Sequence, residues 1–211
     1  MVRFTIRRIR LRLSLLLAPC LIACSSVTIH EEFEGELNSD YPIHQRVVGG
    51  FDTTLLTLAP LRSLVIARVN LPREEAFQLM LTGIHEWFPG VEEFEWTHTD
   101  SGRIVAGSVR VGNYKGSTMV EPIRFIRDGH FYIYQMDLNA TTKFIPIREH
   151  MGIFTVESLS ADTSLIVWRQ YFDNTIPFTG KLIAWVMEDQ TAEPAFDQLV
   201  QVFGGERIEY W

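Results

Sequence analysis

The C-terminal region carries the pattern that most limits what this chain can fold into. Apolar residues recur at helical spacing from Phe178 to Phe203, and the glycines Gly204 and Gly205 end the run. Pro194 lies within it, so the pattern predicts either one long helix kinked there or a second helix that begins there. A helix that is apolar along its length needs a concave apolar surface to cover it.

The preceding residues predict an antiparallel sheet that can supply this surface. Ser63 to Asn70 has the composition of a strand, Pro72 then opens a helix that runs to about residue 83, and residues 84–88 form a second short helix or turn. Six further β segments are predicted at 91–98, 103–111, 116–127, 130–138, 149–159 and 163–173.

Glycines mark where these strands turn or approach a neighbour. The segment from Asn113 to Gly116 and the pair Asp128-Gly129 are predicted as hairpin turns, and the Asp-Gly pair favours type I′. Met151-Gly152 marks a bulge or a close approach within the sixth strand. The order is strand, two short helices, six strands in hairpin succession and a long helix, which is an α+β fold.

Short groups of residues along this region follow one family pattern in order and spacing. They are Ala67-Arg68-Val69 with Pro72 and Phe77, Trp87-Pro89-Val91, Gly107-Ser108-Val109-Arg110, Gly116 and Glu121, Tyr132-Ile133-Tyr134, and Val167-Trp168. Over roughly residues 63–205 the chain resembles the SRPBCC or START-like superfamily, and within it the polyketide cyclase/dehydrase-like branch. The resemblance implies a helix-grip fold, in which a seven-stranded curved antiparallel sheet surrounds a long C-terminal helix and encloses a cavity. The superfamily includes lipid carriers, hormone receptors and aromatase/cyclases, so it does not specify an activity.

The N-terminus predicts export and a membrane anchor. The chain opens with five arginines at positions 3, 7, 8, 10 and 12, and the stretch over 11–22 is apolar apart from Arg12, Ser14, Pro19 and Cys20. This is the order of a secretory signal, and the stretch is too short to span a bilayer. Leu21-Ile22-Ala23-Cys24 resembles the lipobox of bacterial lipoproteins, whose cysteine is acylated after cleavage; an ordinary signal peptide is the alternative. Ser25 resembles lipoproteins that move to the outer membrane, so we expect the periplasmic face of that membrane.

The expected organisation is a signal peptide over 1–23, a lipidated Cys24 with a tether and extension over 24–62, and one domain over 63–211. The acidic residues of 25–45 show no sustained period, which is typical of a tether. The apolar patch from Leu55 to Leu61 either packs on the domain or adds a strand to it.

Charge and cysteine content exclude several classes of function. Loss of 1–23 removes five arginines and no acidic residue from a chain with 19 basic and 26 acidic residues, which leaves 14 against 26, a formal charge of −12. An acidic body argues against nucleic-acid binding. Both cysteines, Cys20 and Cys24, are consumed by processing, so the mature domain has neither a disulfide nor a thiol nucleophile.

Arg110 and Glu121 flank the first hairpin and are the first candidate site residues. They are either an ordinary cross-strand ion pair or a polar pair in the cavity that orients a ligand carboxylate or carbonyl. The resemblance places Arg110 on the third strand and Glu121 on the fourth.

Aromatic residues supply the remaining candidates. Strand alternation puts Tyr132 and Tyr134 on one face, but the other face is equally apolar, so alternation does not decide which face lines the cavity. Trp168 belongs to a similar row on the last strand, and on the long helix Trp185, with Met187 or Glu188, is expected to face it. His150 stands beside Arg148 and Glu149 and is interpreted as a solvated histidine, with a general base as the less favoured alternative.

No other catalytic or ligand-binding motif is recognisable. The six histidines lack the spacing of a metal site, no serine lies in a Gly-x-Ser-x-Gly motif, and no phosphate loop or dinucleotide fingerprint occurs, so no metal and no cofactor are expected. Three hypotheses follow: an anchored envelope protein that binds a hydrophobic small molecule or lipid, a cyclase- or dehydratase-like enzyme acting on an aromatic or polyketide-like substrate, and a module that recruits another envelope protein.

Overall fold

The computed structural model describes residues 61–92, 94–141 and 146–208. The expectations for the signal peptide, Cys24, the tether and most of the patch from Leu55 to Leu61 therefore lie outside the described residues. Leu61 itself begins the first strand, two residues earlier than predicted.

The described residues form a single antiparallel sheet of eight strands in the order β2-β3-β4-β5-β6-β7-β1-β8. The strands are β1 (Leu61–Val69), β2 (Glu95–Thr97), β3 (Val109–Tyr114), β4 (Ser117–Arg127), β5 (Phe131–Gln135), β6 (Ile147–Ser158), β7 (Ser164–Asn174) and β8 (Gly205–Ile208). The seven predicted strands are all present, and β8 is an addition that pairs with β1 after the C-terminal helix ends.

Helical segments cover one side of this sheet. They are α1 (Arg73–Leu81), a 3₁₀ turn (Ile84–Glu86), α2 (Gly180–Met187), a π-helical turn (Glu188–Ala192) and α3 (Glu193–Phe203). α2, the π turn and α3 follow one another without a break, so the predicted long C-terminal helix is confirmed. Within the described ranges, no helix has the length and apolar character needed to cross a membrane.

The irregularity near Pro194 has a local cause. Proline donates no backbone hydrogen bond and its ring collides with the carbonyl one turn earlier in a regular α-helix. Here Pro194 lies in the first turn of α3, where the missing N–H is least costly, and the wider π turn directly precedes it. Thr191 Oγ1, within the π turn, donates to the Val186 carbonyl at the end of α2 at 2.9 Å.

Two sequence predictions about turns and strands are wrong. The strand predicted from residue 103 begins only at Val109, because Gly107 adopts φ +94° and interrupts an extended backbone. Asp128-Gly129 is not a type I′ turn, since that turn requires positive φ at both central residues and among these two only Gly129 has it. The first hairpin does have two positive values, at Lys115 (51°) and Gly116 (82°).

The main core lies between the concave face of the sheet and the helices. Tyr132, Tyr134 and Met136 of the β5 region point into it, which answers the question that alternation left open. Phe131 and Ile133 are buried on the opposite face. A layer of aromatic rings joins sheet to helix: Phe154 stacks on Trp168 at 5.0 Å between centroids, and Trp168 stacks on Phe196 at 6.2 Å.

Candidate functional site

A partly enclosed cavity lies between the concave face of the sheet and the C-terminal helical run. Its volume is about 60 Å³. Most of the wall is apolar, and its apolar and aromatic members are Ile84, Phe88, Val91, Phe94, Tyr114, Met119, Met136, Phe154, Trp168 and Met187. Tyr134 and a few polar residues complete it: Arg110, Glu121, His150, Gln170 and Thr191.

Arg110 and Glu121 form the ion pair at the polar side of the cavity. The strands β3 and β4 place them directly opposite each other. Arg110 Nε donates to Glu121 Oε2 at 2.6 Å, and the two side chains are only 3% and 5% exposed. Burial by itself lowers the pKa of Arg110, but the Glu121 carboxylate and the neighbouring tyrosines outweigh it and hold that pKa above its usual value. The pair is therefore a buried, charge-neutral unit and not a solvated surface contact.

The guanidinium of Arg110 is also enclosed by aromatic rings. Its Cζ lies 4.6 Å from the centroid of Tyr134, 4.9 Å from that of Phe94 and 5.7 Å from that of Tyr132. Aromatic faces attract a cation, and this attraction strengthens where water is excluded. The positive charge is thus satisfied by protein groups on several sides.

Tyr132 supports the ion pair from behind the cavity wall. Its hydroxyl donates to the Met80 carbonyl of α1 at 2.5 Å and accepts from Arg110 Nη1 at 3.3 Å. Burial raises the pKa of Tyr132 well above its usual value. Although predicted as a ligand-binding residue, Tyr132 is not among the residues that line the cavity. Its contacts show a residue that positions Arg110.

Tyr134 lines the cavity directly because Gly152 leaves room for its ring. The two residues are paired across β5 and β6, and a Cβ on Gly152 would overlap the Tyr134 ring. The predicted close approach at Met151-Gly152 is thereby confirmed. Trp168 Nε1 donates to the Tyr134 hydroxyl at 3.1 Å, and burial, followed by the Glu121 carboxylate, raises the pKa of Tyr134. The hydroxyl keeps its own proton for a further acceptor.

His150 is buried against the cavity, and the interpretation of it as a solvated histidine is wrong. Its Nε2 lies 3.0 Å from Gln170 Oε1, and Gln170 Nε2 in turn lies 3.4 Å from Ser63 Oγ. Within the described ranges, Nδ1 of His150 is buried without a hydrogen-bond partner. Burial lowers the pKa of His150, and the bond to Gln170 offsets this only in part. The ring is therefore a neutral imidazole at neutral pH.

Trp185 does not face the cavity, contrary to the prediction. On α2 the residues that point inward are Ile183 and Met187, which are four positions apart and share one helix face. Trp185 falls between them in sequence, about 200° around the helix from either one, and remains half-exposed. Met187, the other residue proposed at this position, does line the cavity.

Several wall residues were missed by sequence reasoning. Met119 lies two positions from Glu121, so alternation from Glu121 would have indicated it. Alternation does place Met136 on the face of Tyr134, but it did not decide which face lines the cavity. Phe94 had no such signal: its ring lies against Gly112, which offers the space that a side chain would fill. Phe94 directly precedes β2, and only the pairing of β2 with β3 brings its ring against Gly112.

One acidic cluster lies on the C-terminal helical run. Carboxylate oxygens of Glu188, Asp189 and Glu193 lie within 4.8 Å of one another. Arg207 Nη1 contacts Glu193 at 2.8 Å and its Nε contacts Asp197 at 3.0 Å. The arginine supplies positive charge to this cluster, which reduces its attraction for a cation.

The curved sheet, the C-terminal helical run and the cavity between them define a helix-grip protein. The sequence pattern described as polyketide cyclase/dehydrase and lipid transport matches residues 65–204, so the chain belongs to that family. The predicted resemblance to the superfamily is thereby confirmed. No curated protein sequence matches the chain.

Solved structures show the same fold at low identity. The protein XoxI from Bacillus cereus has a TM-score of 0.55 at 19% identity, over 68% of this chain and 95% of that one. A START superfamily protein from Mycobacterium smegmatis gives 0.53 at 11% identity, over 67% and 96%. The di-domain aromatase/cyclase BexL of the BE-7585A biosynthetic pathway gives 0.52 at 12% identity, over 68% of this chain and 45% of that one. Such similarity defines the fold and leaves the ligand open.

Proposed function

We propose that the helix-grip cavity binds a neutral apolar small molecule or lipid, and that the chain is held at the cell envelope by acyl chains on Cys24. The observation that carries the proposal is that the only charged groups on the cavity wall, within the described residues, already neutralise each other at 2.6 Å. A ligand carboxylate would have to compete with Glu121 for Arg110. A neutral ligand meets no such competition.

The size and lining of the cavity favour a slender ligand. Ligand pockets for drug-sized molecules are about 300–1,000 Å³, whereas the volume of this cavity is only about 60 Å³. A ligand of more than a few atoms must therefore displace side chains of the cavity wall. Methionines at positions 119, 136 and 187 line it, and their flexible side chains adapt to an entering group. Burial of apolar ligand area would supply the affinity, at about 25 cal/mol per Å² before ordering costs.

Tyr134 would orient a ligand that carries a hydrogen-bond acceptor. Its hydroxyl accepts from Trp168 and has a proton left to donate. With Tyr134→Phe we expect about 1 kcal/mol weaker binding of an apolar ester or ketone and little change for a hydrocarbon of the same length. Equal losses for both probes would contradict this orienting role.

Native mass spectrometry tests the proposal. The chain, purified from its own host in mild detergent, should retain an apolar molecule. Val91→Phe places a ring in the cavity wall and should abolish retention, whereas Val202→Phe makes the same change at an exposed position and should not. If the wild-type chain carries no ligand and takes up no added long-chain alcohol or ester, the proposal is wrong.

An enzymatic role is the second candidate, favoured by one observation. The buried, unpartnered Nδ1 of His150 belongs to a neutral imidazole beside the cavity, which suits a general base for a cyclisation or dehydration. His150→Gln would then abolish turnover of an aromatic or polyketide-like substrate while retention of the ligand persists. Turnover unchanged by this substitution would exclude the role.

A further inference from the structure

An apolar surface lies on the outside of α2 and of the turn before it. It consists of Ile176, Phe178, Leu182 and Trp185, which are 49%, 105%, 60% and 47% exposed. We call these four residues the α2 surface. The opposite face of the same helix, with Ile183 and Met187, packs into the domain. Apart from Lys181, α2 is therefore apolar on its exposed face as well as on its covered face. An exposed apolar face of this kind marks an interaction site.

The turn that presents Phe178 is held in place by hydrogen bonds. Thr179 Oγ1 donates to the Ile176 carbonyl at 2.7 Å, and Asn174 Nδ2 donates to the same carbonyl and to Thr179 Oγ1. Thr175 N and Oγ1 both donate to the Pro146 carbonyl, at 2.8 and 3.0 Å. A surface fixed in this way loses little conformational freedom when it binds a partner.

Phe178 is unusual in both exposure and backbone. Its φ of +66° is uncommon for a bulky residue, and its side chain is fully exposed. Neither feature contributes packing to the folded domain. Such outliers persist most often where they serve a function.

The charge of this segment differs from that of the rest of the chain. Residues 175–187 contain Lys181 and no acidic residue, in a chain with 26 acidic and 19 basic residues. Of the acids that follow or precede the segment, Asp173 and Glu188 are half-buried and have protein contacts of their own, whereas Asp189 is exposed and belongs to the acidic cluster beyond α2. Within 175–187 itself, the α2 surface presents aromatic and aliphatic groups with one cation and no carboxylate.

We propose that the α2 surface inserts into the interfacial region of a lipid bilayer. Tryptophan and phenylalanine are favoured there because an apolar ring enters the acyl boundary while the indole N–H stays at the headgroups. Lys181 suits anionic headgroups. The contact goes beyond cavity binding and beyond the anchor at Cys24, since it would orient the domain with α2 against the membrane.

Fluorescence quenching by lipids brominated on their acyl chains tests the proposal. The five tryptophans lie at positions 87, 96, 168, 185 and 211, so membrane binding by the N-terminal residues gives no tryptophan signal of its own. With vesicles of phosphatidylethanolamine and phosphatidylglycerol, the full chain should be quenched, and Trp185→Phe should remove at least half of that quenching. Equal quenching of both proteins would overturn the proposal.

A charged substitution on the α2 surface provides a second test of the proposal. Phe178→Asp should reduce Trp185 quenching at least twofold, a readout that does not depend on the anchor at Cys24, whereas Leu159→Asp, at an exposed position in the β6–β7 turn, should leave it unchanged. Aspartate tolerates positive φ better than phenylalanine, so the variant should remain folded, which circular dichroism checks. Equal effects of both substitutions, or lipid-free dimerisation that Phe178→Asp abolishes, would overturn bilayer insertion. Retention of a cavity ligand is measured separately and does not depend on this result.

Discussion

Arg110 and Glu121 set the polar character of the cavity at the scale of single residues. Transfer of two charges from water into the protein costs several kcal/mol each, and only close pairing with further hydrogen bonds recovers it. The 2.6 Å contact, the Tyr132 hydroxyl and three aromatic rings provide that compensation. Removal of either residue would therefore leave the other as an uncompensated buried charge.

We expect Glu121→Gln to destabilise the domain by about 3–5 kcal/mol, because it leaves a buried guanidinium without its carboxylate. Urea unfolding measures this. The double variant Arg110→Met with Glu121→Met should lose less than the single variant, since no uncompensated charge remains. A single-variant loss below about 1 kcal/mol would show that Arg110 reaches water.

His150 predicts a pH dependence of stability. Since burial lowers its pKa in the folded state, the unfolded chain binds the proton more tightly. The neutral ring contributes fully to the free energy of unfolding above the usual histidine pKa of about 6.5. This contribution is lost as the pH falls from there towards the lowered pKa of His150 in the folded state. The stability advantage of wild type over His150→Gln should therefore shrink between pH 7 and pH 5. A difference constant over this range would contradict the burial of His150.

At the scale of elements, paired strands decide where the aromatic rings can lie. β5 and β6 bring Tyr134 opposite Gly152, and the ring occupies the space that a side chain would fill. Gly112 likewise leaves space for the Phe94 ring, which lies against it. Glycine at these two positions therefore leaves the space that the Tyr134 and Phe94 rings occupy in the cavity wall.

Gly152→Ala should cost about 1–3 kcal/mol through overlap with the Tyr134 ring. In a Tyr134→Ala background the same substitution should cost much less, because the ring is gone. A double-mutant cycle by chemical denaturation measures the coupling. Additive losses would mean that the two residues do not meet.

At the scale of the whole molecule, the predicted N-terminal processing separates anchor from domain. We expect the mature chain to begin at an acylated Cys24. Cys24→Ala should retain residues 1–23 and carry no acyl chain, whereas Cys20→Ala should be processed like the wild type, because only the residue after Leu21-Ile22-Ala23 is modified. Mass spectrometry of the N-terminal peptide checks this. An unmodified, cleaved Cys24 would indicate an ordinary signal peptide.

The sequence alone determined the order of the elements and the pairing of Arg110 with Glu121. Both follow from local signals: hairpin turns short enough to set strand register, and apolar spacing that persists over a whole helix. The helix-grip class was implied by the family resemblance of the sequence and not by these signals. The eighth strand was missed because Gly205–Ile208 is too short to show alternation.

Only the tertiary structure decided which faces are buried. Periodicity relates residues within one element but does not say how that element is rotated against its neighbours. β5 is apolar on both faces, and α2 is apolar on more than one face. The inward orientation of Tyr134 and the outward orientation of Trp185 therefore had no local signal. His150 looked solvated beside two charged residues, yet the strand pairing of β6 with β7 buries it against Gln170. Burial is a property of the assembled layers, and the chemistry of the cavity depends on it.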